Sequence, residues 1–70
     1  MIWLFERDGE RARVEVLYLA PDQYELHFLD ADGVEHVEFF TDAADAGRRQ
    51  RVLLDTLLAQ GWTKTAEWKL

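Results

Sequence analysis

Apolar and polar positions alternate through the first part of this chain and change to helical spacing only between residues 41 and 62. Within Ile2–Arg7, Trp3 and Phe5 fall on one side of a strand and Ile2 and Leu4 on the other, so both faces are apolar. Asp8-Gly9 comes next, a two-residue hairpin signal because both positions tolerate positive φ. Pairing Arg7 with Glu10 across it sets Phe5 opposite Ala12 and Trp3 opposite Val14 on one face. Leu4 then meets Arg13, and Ile2 meets Glu15, on the other.

The second strand, residues 11–19, turns Ala12, Val14, Val16 and Tyr18 to that first face. A two-residue loop at Pro21 would place Val16 opposite His27 and mix the faces. A three-residue loop, Ala20-Pro21-Asp22, instead pairs Tyr18 with Tyr24, Val16 with Leu26 and Val14 with Phe28. The third strand, residues 23–30, ends in Ala31-Asp32-Gly33-Val34, read as a second hairpin with Asp32-Gly33 at its tip. That pairing sets Phe28 opposite Val37 and Leu26 opposite Phe39. The expected inner face is therefore Trp3, Phe5, Val14, Val16, Tyr18, Tyr24, Leu26, Phe28, Val37 and Phe39.

Residues 41–62 carry the helix that covers this face. Ala43, Ala46, Gly47, Leu53, Leu54, Leu57 and Leu58 share one half of the cylinder, with Gln50 a polar residue inside the stripe and Val52 an apolar one outside it. Thr41 or Asp42 serves as N-cap, and Asp45 places a negative charge in the first turn. Gly61 stands where a left-handed residue ends a helix, with Trp62 placed to fold back on Leu57. The fold class is α+β, a ββββα domain over residues 1–70 with the helix packed on one face of an antiparallel meander. After Gly61, Trp62, Lys64, Ala66, Trp68 and Leu70 alternate with Thr63, Thr65, Glu67 and Lys69, which reads as a short fifth strand or a tail that orders on a partner.

Seventy residues set one domain near the lower limit of what a single core stabilises without help, so oligomerisation is expected. The chain has no cysteine, which points to a reducing cytoplasm and leaves out disulfides and thiolate metal sites. MIWLFERDGE lacks the basic start and small-residue cleavage site of a signal peptide, and no apolar run reaches membrane-spanning length. Charge is uneven. Residues 1–41 carry a net charge of −7, residues 42–60 are neutral, and residues 61–70 carry +1. A phosphate-binding sheet would be basic, and this one is the reverse.

Candidate chemistry is sparse. The registers above collect Ile2, Leu4, Leu17, Leu19, Leu29 and Phe40 on the outer sheet face. A contiguous apolar patch on a small domain marks a contact, either with another chain or with the C-terminal segment carrying Trp68 and Leu70. The first strand is expected at a sheet edge, where its open backbone also needs cover. Glu15, His27 and Glu38 line up across strands, a row able to hold a metal or an acid–base imidazole but equally ordinary sheet stabilisation. Asp30-Ala31-Asp32-Gly33-Val34-Glu35 lacks the further oxygen ligands of a calcium loop. Arg48, Arg49 and Arg51 are spread around the helix beside acids, which suits a solvated face. Serine is absent, and no stretch carries a catalytic, cofactor-binding or metal-binding signature.

The order of four strands and a helix resembles, in topology alone, the whirly-type and coactivator-type single-strand DNA-binding domains. That resemblance implies an outer sheet face that binds nucleic acid and a helix that makes a dimer contact, whereas here the sheet is acidic and lacks a basic groove. The expected function is a small non-enzymatic interaction module without cofactor. Its partner is a second copy, as a dimer, or another protein, and it involves neither nucleic acid nor membrane. The interface residues are Ile2, Leu4, Leu17, Leu19, Leu29, Phe40 and Trp68. The alternative is a single-stranded nucleic-acid-binding domain of whirly-like topology.

Overall fold

In the computed structural model, which describes residues 1–69, the elements follow the expected order. Strands β1 (Ile2–Arg7), β2 (Glu10–Ala20), β3 (Gln23–Leu29) and β4 (Glu35–Phe40) form an antiparallel meander, and helix α1 (Ala43–Ala59) follows. β5 (Thr63–Trp68) pairs antiparallel with β1 and completes one sheet in the order β4-β3-β2-β1-β5. The segment after the helix is thus a strand. It moves β1 into the sheet interior and leaves β4 and β5 as the edges, correcting the expectation that β1 is an edge. Leu70, expected to continue the alternation, lies outside the described residues.

The first hairpin forms as its turn chemistry dictates. Asp8 and Gly9 both take positive φ (50° and 80°), and Trp3 faces Val14 while Phe5 faces Ala12. Met1 extends this ladder: Val16 N–H donates to its carbonyl, and its ammonium donates to the Val16 carbonyl, both at 2.9 Å. The second hairpin has the expected register, Val16 with Leu26 and Tyr18 with Tyr24, but reaches it differently. Ala20 pairs with Gln23 across a two-residue turn in which Asp22 has a φ of 61°. A bulge between Tyr18 and Ala20 then supplies the odd residue that keeps the faces apart.

The third hairpin differs from the sequence expectation by one residue, and β4 consequently turns over. Leu26 faces Glu38 and Phe28 faces His36, so Val37 and Phe39 leave the inner face and Phe40 joins it opposite Tyr24. The cause is the Asp30 side chain. Its Oδ1 accepts from the N–H groups of Asp32 (2.9 Å) and Val34 (3.0 Å), while Asp30 N–H donates to the Val34 carbonyl at 3.0 Å. Asp32 does not take positive φ and only Gly33 does, at 81°, so the loop holds three residues instead of two.

The helix lies across the inner face and buries Ala46, Leu53 and Leu57. With Trp3, Phe5, Ala12, Val14, Leu26 and Trp62, the two leucines make the core, and Met1, Val16, Phe28, Phe40 and Leu54 pack against it. Leu58, placed on the apolar stripe by spacing, is exposed, as is Val52. Gln50 borders an open groove of about 470 Å3 together with Met1, Val16, Tyr18 and Tyr24, which explains a polar residue within the stripe. That end of the inner face is not closed, and Tyr18 stays exposed there.

Both helix ends are satisfied. Asp42 is the N-cap and its carboxylate accepts from Ala44 N–H at 2.7 Å. At the other end Trp62 N–H donates to the Leu57 carbonyl and Gly61 N–H to the Leu58 carbonyl, the paired bonds of a Schellman ending. The last turn carries no basic residue of its own. Arg7 from β1 supplies the charge: it donates to the Gln60 carbonyl at 2.9 Å and its guanidinium lies 4.6 Å from the centre of the Trp62 ring.

Two glycine-to-alanine changes should act in opposite directions. Gly61 has a φ of 89° and room for a methyl group, so Gly61→Ala costs about 1–2 kcal/mol through backbone strain alone. Gly47 is helical with nothing near its open side, so Gly47→Ala stabilises by roughly 0.5–1 kcal/mol. Urea unfolding of both variants measures the two signs, and equal effects would contradict this account of the helix end.

Candidate interaction surface

Because the helix occupies the inner face, the outer face is built by the residues that alternate away from it. Cross-strand pairing defines its rows. Trp68, Ile2, Glu15, His27 and Val37 make one, and Ala66, Leu4, Arg13, Leu29 and Glu35 the next. A third places Leu17, Glu25 and Phe39 together. Ile2, Leu4, Leu17 and Leu29 are half-buried among their neighbours, while Trp68 is 51% exposed. Leu19 is exposed at the β2 bulge.

Phe40 departs from this set. The β4 register turns it inward against the core, and its expected place on the outer face is corrected. Val37 and Phe39 stand there instead, 41% and 74% exposed. Sequence reasoning missed both because it took Asp32-Gly33 for the same two-residue turn as Asp8-Gly9. The usable signal was Asp30, a side chain able to bind two loop amides and so favour the longer loop.

Polar groups on the same face are largely paired with one another. Arg11 lies 3.4 Å from Glu6. His27 faces Glu15 across the β2–β3 ladder as expected, but Glu38 lies on the opposite face, where Arg49 Nε donates to it at 2.9 and 3.1 Å. The expected row of Glu15, His27 and Glu38 is therefore not formed. His27 instead sits between Glu35 (Nδ1 to Oε1, 2.6 Å) and Glu25 (Nε2 to Oε1, 2.8 Å), with its side chain only 18% exposed. Only the imidazolium can donate to both carboxylates at once. The bonds to Glu35 and then Glu25 raise its pKa above the ordinary value, against a smaller opposing effect of burial. The bond from His27 likewise holds Glu35 below the usual carboxylate range.

The remaining candidates are taken up by structural contacts. The second Asp30 oxygen is 2.8 Å from His36 Nε2, and this bond followed by the Val34 N–H lowers the Asp30 pKa. Arg48 pairs with Asp45 and Arg49 with Glu38. On the inner side, Trp3 Nε1 donates to Glu67 at 2.8 Å, and Glu67 is held low first by Lys64 and then by this indole. Among the described residues no three His, Asp or Glu side chains converge as metal ligands. The outer face carries a shallow groove of about 300 Å3 floored by Leu4 and Leu29 and walled by Glu6, Arg11, Arg13 and Thr65. Such a surface suits docking of apolar side chains between paired charges.

No protein-family model matches the chain, and no curated protein or solved structure matches it significantly.

The His27 contacts give a signed pH dependence. A raised folded pKa contributes stability that is fully present below the unfolded imidazole value of 6.5 and is lost as pH rises through the folded value. The lowered Glu35 pKa contributes stability present above 4.5 and lost as pH falls through its depressed folded value. The group is thus most stabilising at mildly acidic pH. An NMR titration should place His27 above 6.5, and Glu35→Gln should move it back toward that value. A depressed value in the wild-type chain would contradict the arrangement.

Proposed function

We propose that this chain is a small non-enzymatic interaction module that self-associates through the outer face of its sheet. One observation carries the reading: Ile2, Leu4, Leu17 and Leu29, with Val37, Phe39 and Trp68 around them, lie on the face opposite the helix. Residues Thr63–Trp68 are used as edge strand β5, so they do not fold across them. Trp68 stands beside Ile2 and widens the apolar surface. A second copy of the chain brings a matching surface with no additional sequence feature, and two-fold association is the commonest way to use one.

The absence of cysteine suits a reducing compartment, and the cytoplasm is the proposed location. No helix among the described residues is long and apolar enough to cross a membrane. Exposed Phe39 and Trp68 on an open sheet are the one observation that favours the alternative, a single-strand nucleic-acid binder that stacks bases on aromatic rings. The charge argues the other way, because Glu6, Glu15, Glu25 and Glu35 share that face with Arg11 and Arg13.

Replacing Leu4 and Leu17 together with glutamate should lower the solution mass measured by light scattering while the circular dichroism spectrum is kept. An unchanged mass would contradict face-to-face association. Single-stranded oligonucleotides should bind only weakly at physiological salt. A sub-micromolar affinity that falls steeply with added salt would instead establish the alternative.

A further inference from the structure

We infer that two copies of this chain also join edge to edge through β4, with Val37 of one copy opposite the partner's Val37 in antiparallel register. The inference rests on the self-association proposed above and names a second contact for it.

The two sheet edges are not equivalent. β5 is broken by a register shift against β1 and carries Lys64, both devices that discourage edge pairing. β4 has neither: its ladder to β3 is regular, and Glu35–Phe40 contains no proline, lysine or arginine. Backbone bonds alternate along an antiparallel ladder, and Asp30 is bonded to Val34. His36, Glu38 and Phe40 therefore direct their backbone groups to β3, while Glu35, Val37 and Phe39 direct theirs outward. The side chains of the last two are also the exposed apolar ones of this strand.

The positions of the outward backbone groups select both the occupant and the register, because Glu35, Val37 and Phe39 are symmetric about Val37. With Val37 opposite itself, its exposed apolar side chain meets the same side chain of the second copy, while His36 and Glu38 keep their own contacts to Asp30 and Arg49. Glu35 and Phe39 then exchange backbone bonds with the partner's Phe39 and Glu35. Sliding the copies by one step puts Glu38 opposite the partner's Glu38, or His36 opposite the partner's His36. Each shortens the ladder, and the first also sets two carboxylates opposite each other. The strand is thus complementary to itself in one register. The two-fold axis stands perpendicular to the sheet, so both outer faces lie on the same side and form one wider surface.

The test combines solution mass with amide exchange on the full chain. In wild type at high concentration, the Glu35, Val37 and Phe39 amides should be protected, and should lose that protection on dilution. Val37→Pro removes an outward donor without touching the β3 ladder and should lower the mass, while Leu4→Glu with Leu17→Glu should leave the edge-joined pair intact. If Val37→Pro keeps the wild-type mass and the three amides exchange freely, the edge contact is overturned while face association stands. If only the edge variant lowers the mass, the face reading fails and the edge contact stands. Should the proline variant not fold, concentration-dependent protection of the three amides in wild type decides alone. A wild type that is monomeric at high concentration overturns both contacts.

Discussion

A single helix can cover only one side of a five-stranded sheet, and the rest of this structure follows from that limit. The chain buries Trp3, Phe5, Val14, Leu26, Leu53, Leu57 and Trp62 on the covered side. The helix is fixed at both ends by contacts that reach outside it, Asp42 at its start and the Arg7 guanidinium over Trp62 at its finish. Arg7 sits beside the Asp8-Gly9 turn, so the first hairpin and the helix end are tied together at one corner. With the helix and β5 both committed, the apolar residues on the other side have no element of the described chain over them.

Which residues those are depends on the Asp30 loop. A carboxylate that binds two amides of its own turn adds one residue to the hairpin, and one residue is enough to reverse every side chain of β4. Phe40 is drawn into the core in place of Val37 and Phe39. Glu38 is brought to the helix side, where Arg49 meets it, and Glu35 is brought to His27. A local choice of loop length thus determines the composition of both faces at this edge. It also changes the carboxylates that perturb His27, which are Glu35 and Glu25 in place of the expected Glu15 and Glu38.

The fold was legible because hydrophobic alternation, turn residues and helix caps agreed over most of the chain. The β1–β2 pairing, the β2–β3 pairing, the helix and its Schellman ending at Gly61 could all be read from residue types. Two features were not legible. The β2 bulge offsets a two-residue turn, so the register came out right although the loop was not as expected. At the third hairpin nothing offsets the longer loop, and the same dipeptide that makes a two-residue turn at Asp8-Gly9 makes a different one at Asp32-Gly33. The candidate surface was legible on β1, β2 and β3 through Ile2, Leu4, Leu17 and Leu29, and was misread on β4, where Val37 and Phe39 replace Phe40.

An outer face that includes Val37 and Phe39 is the central claim, because both the size of the open surface and the self-complementary edge depend on it. The most direct measurement is the set of cross-strand α-proton contacts between β3 and β4 by NMR. The non-bonded pairs of an antiparallel ladder bring their α-protons close together. This account predicts strong contacts from His27 to Val37 and from Glu25 to Phe39. Contacts from Phe28 to Val37 and from Leu26 to Phe39 would return both side chains to the core and contradict it.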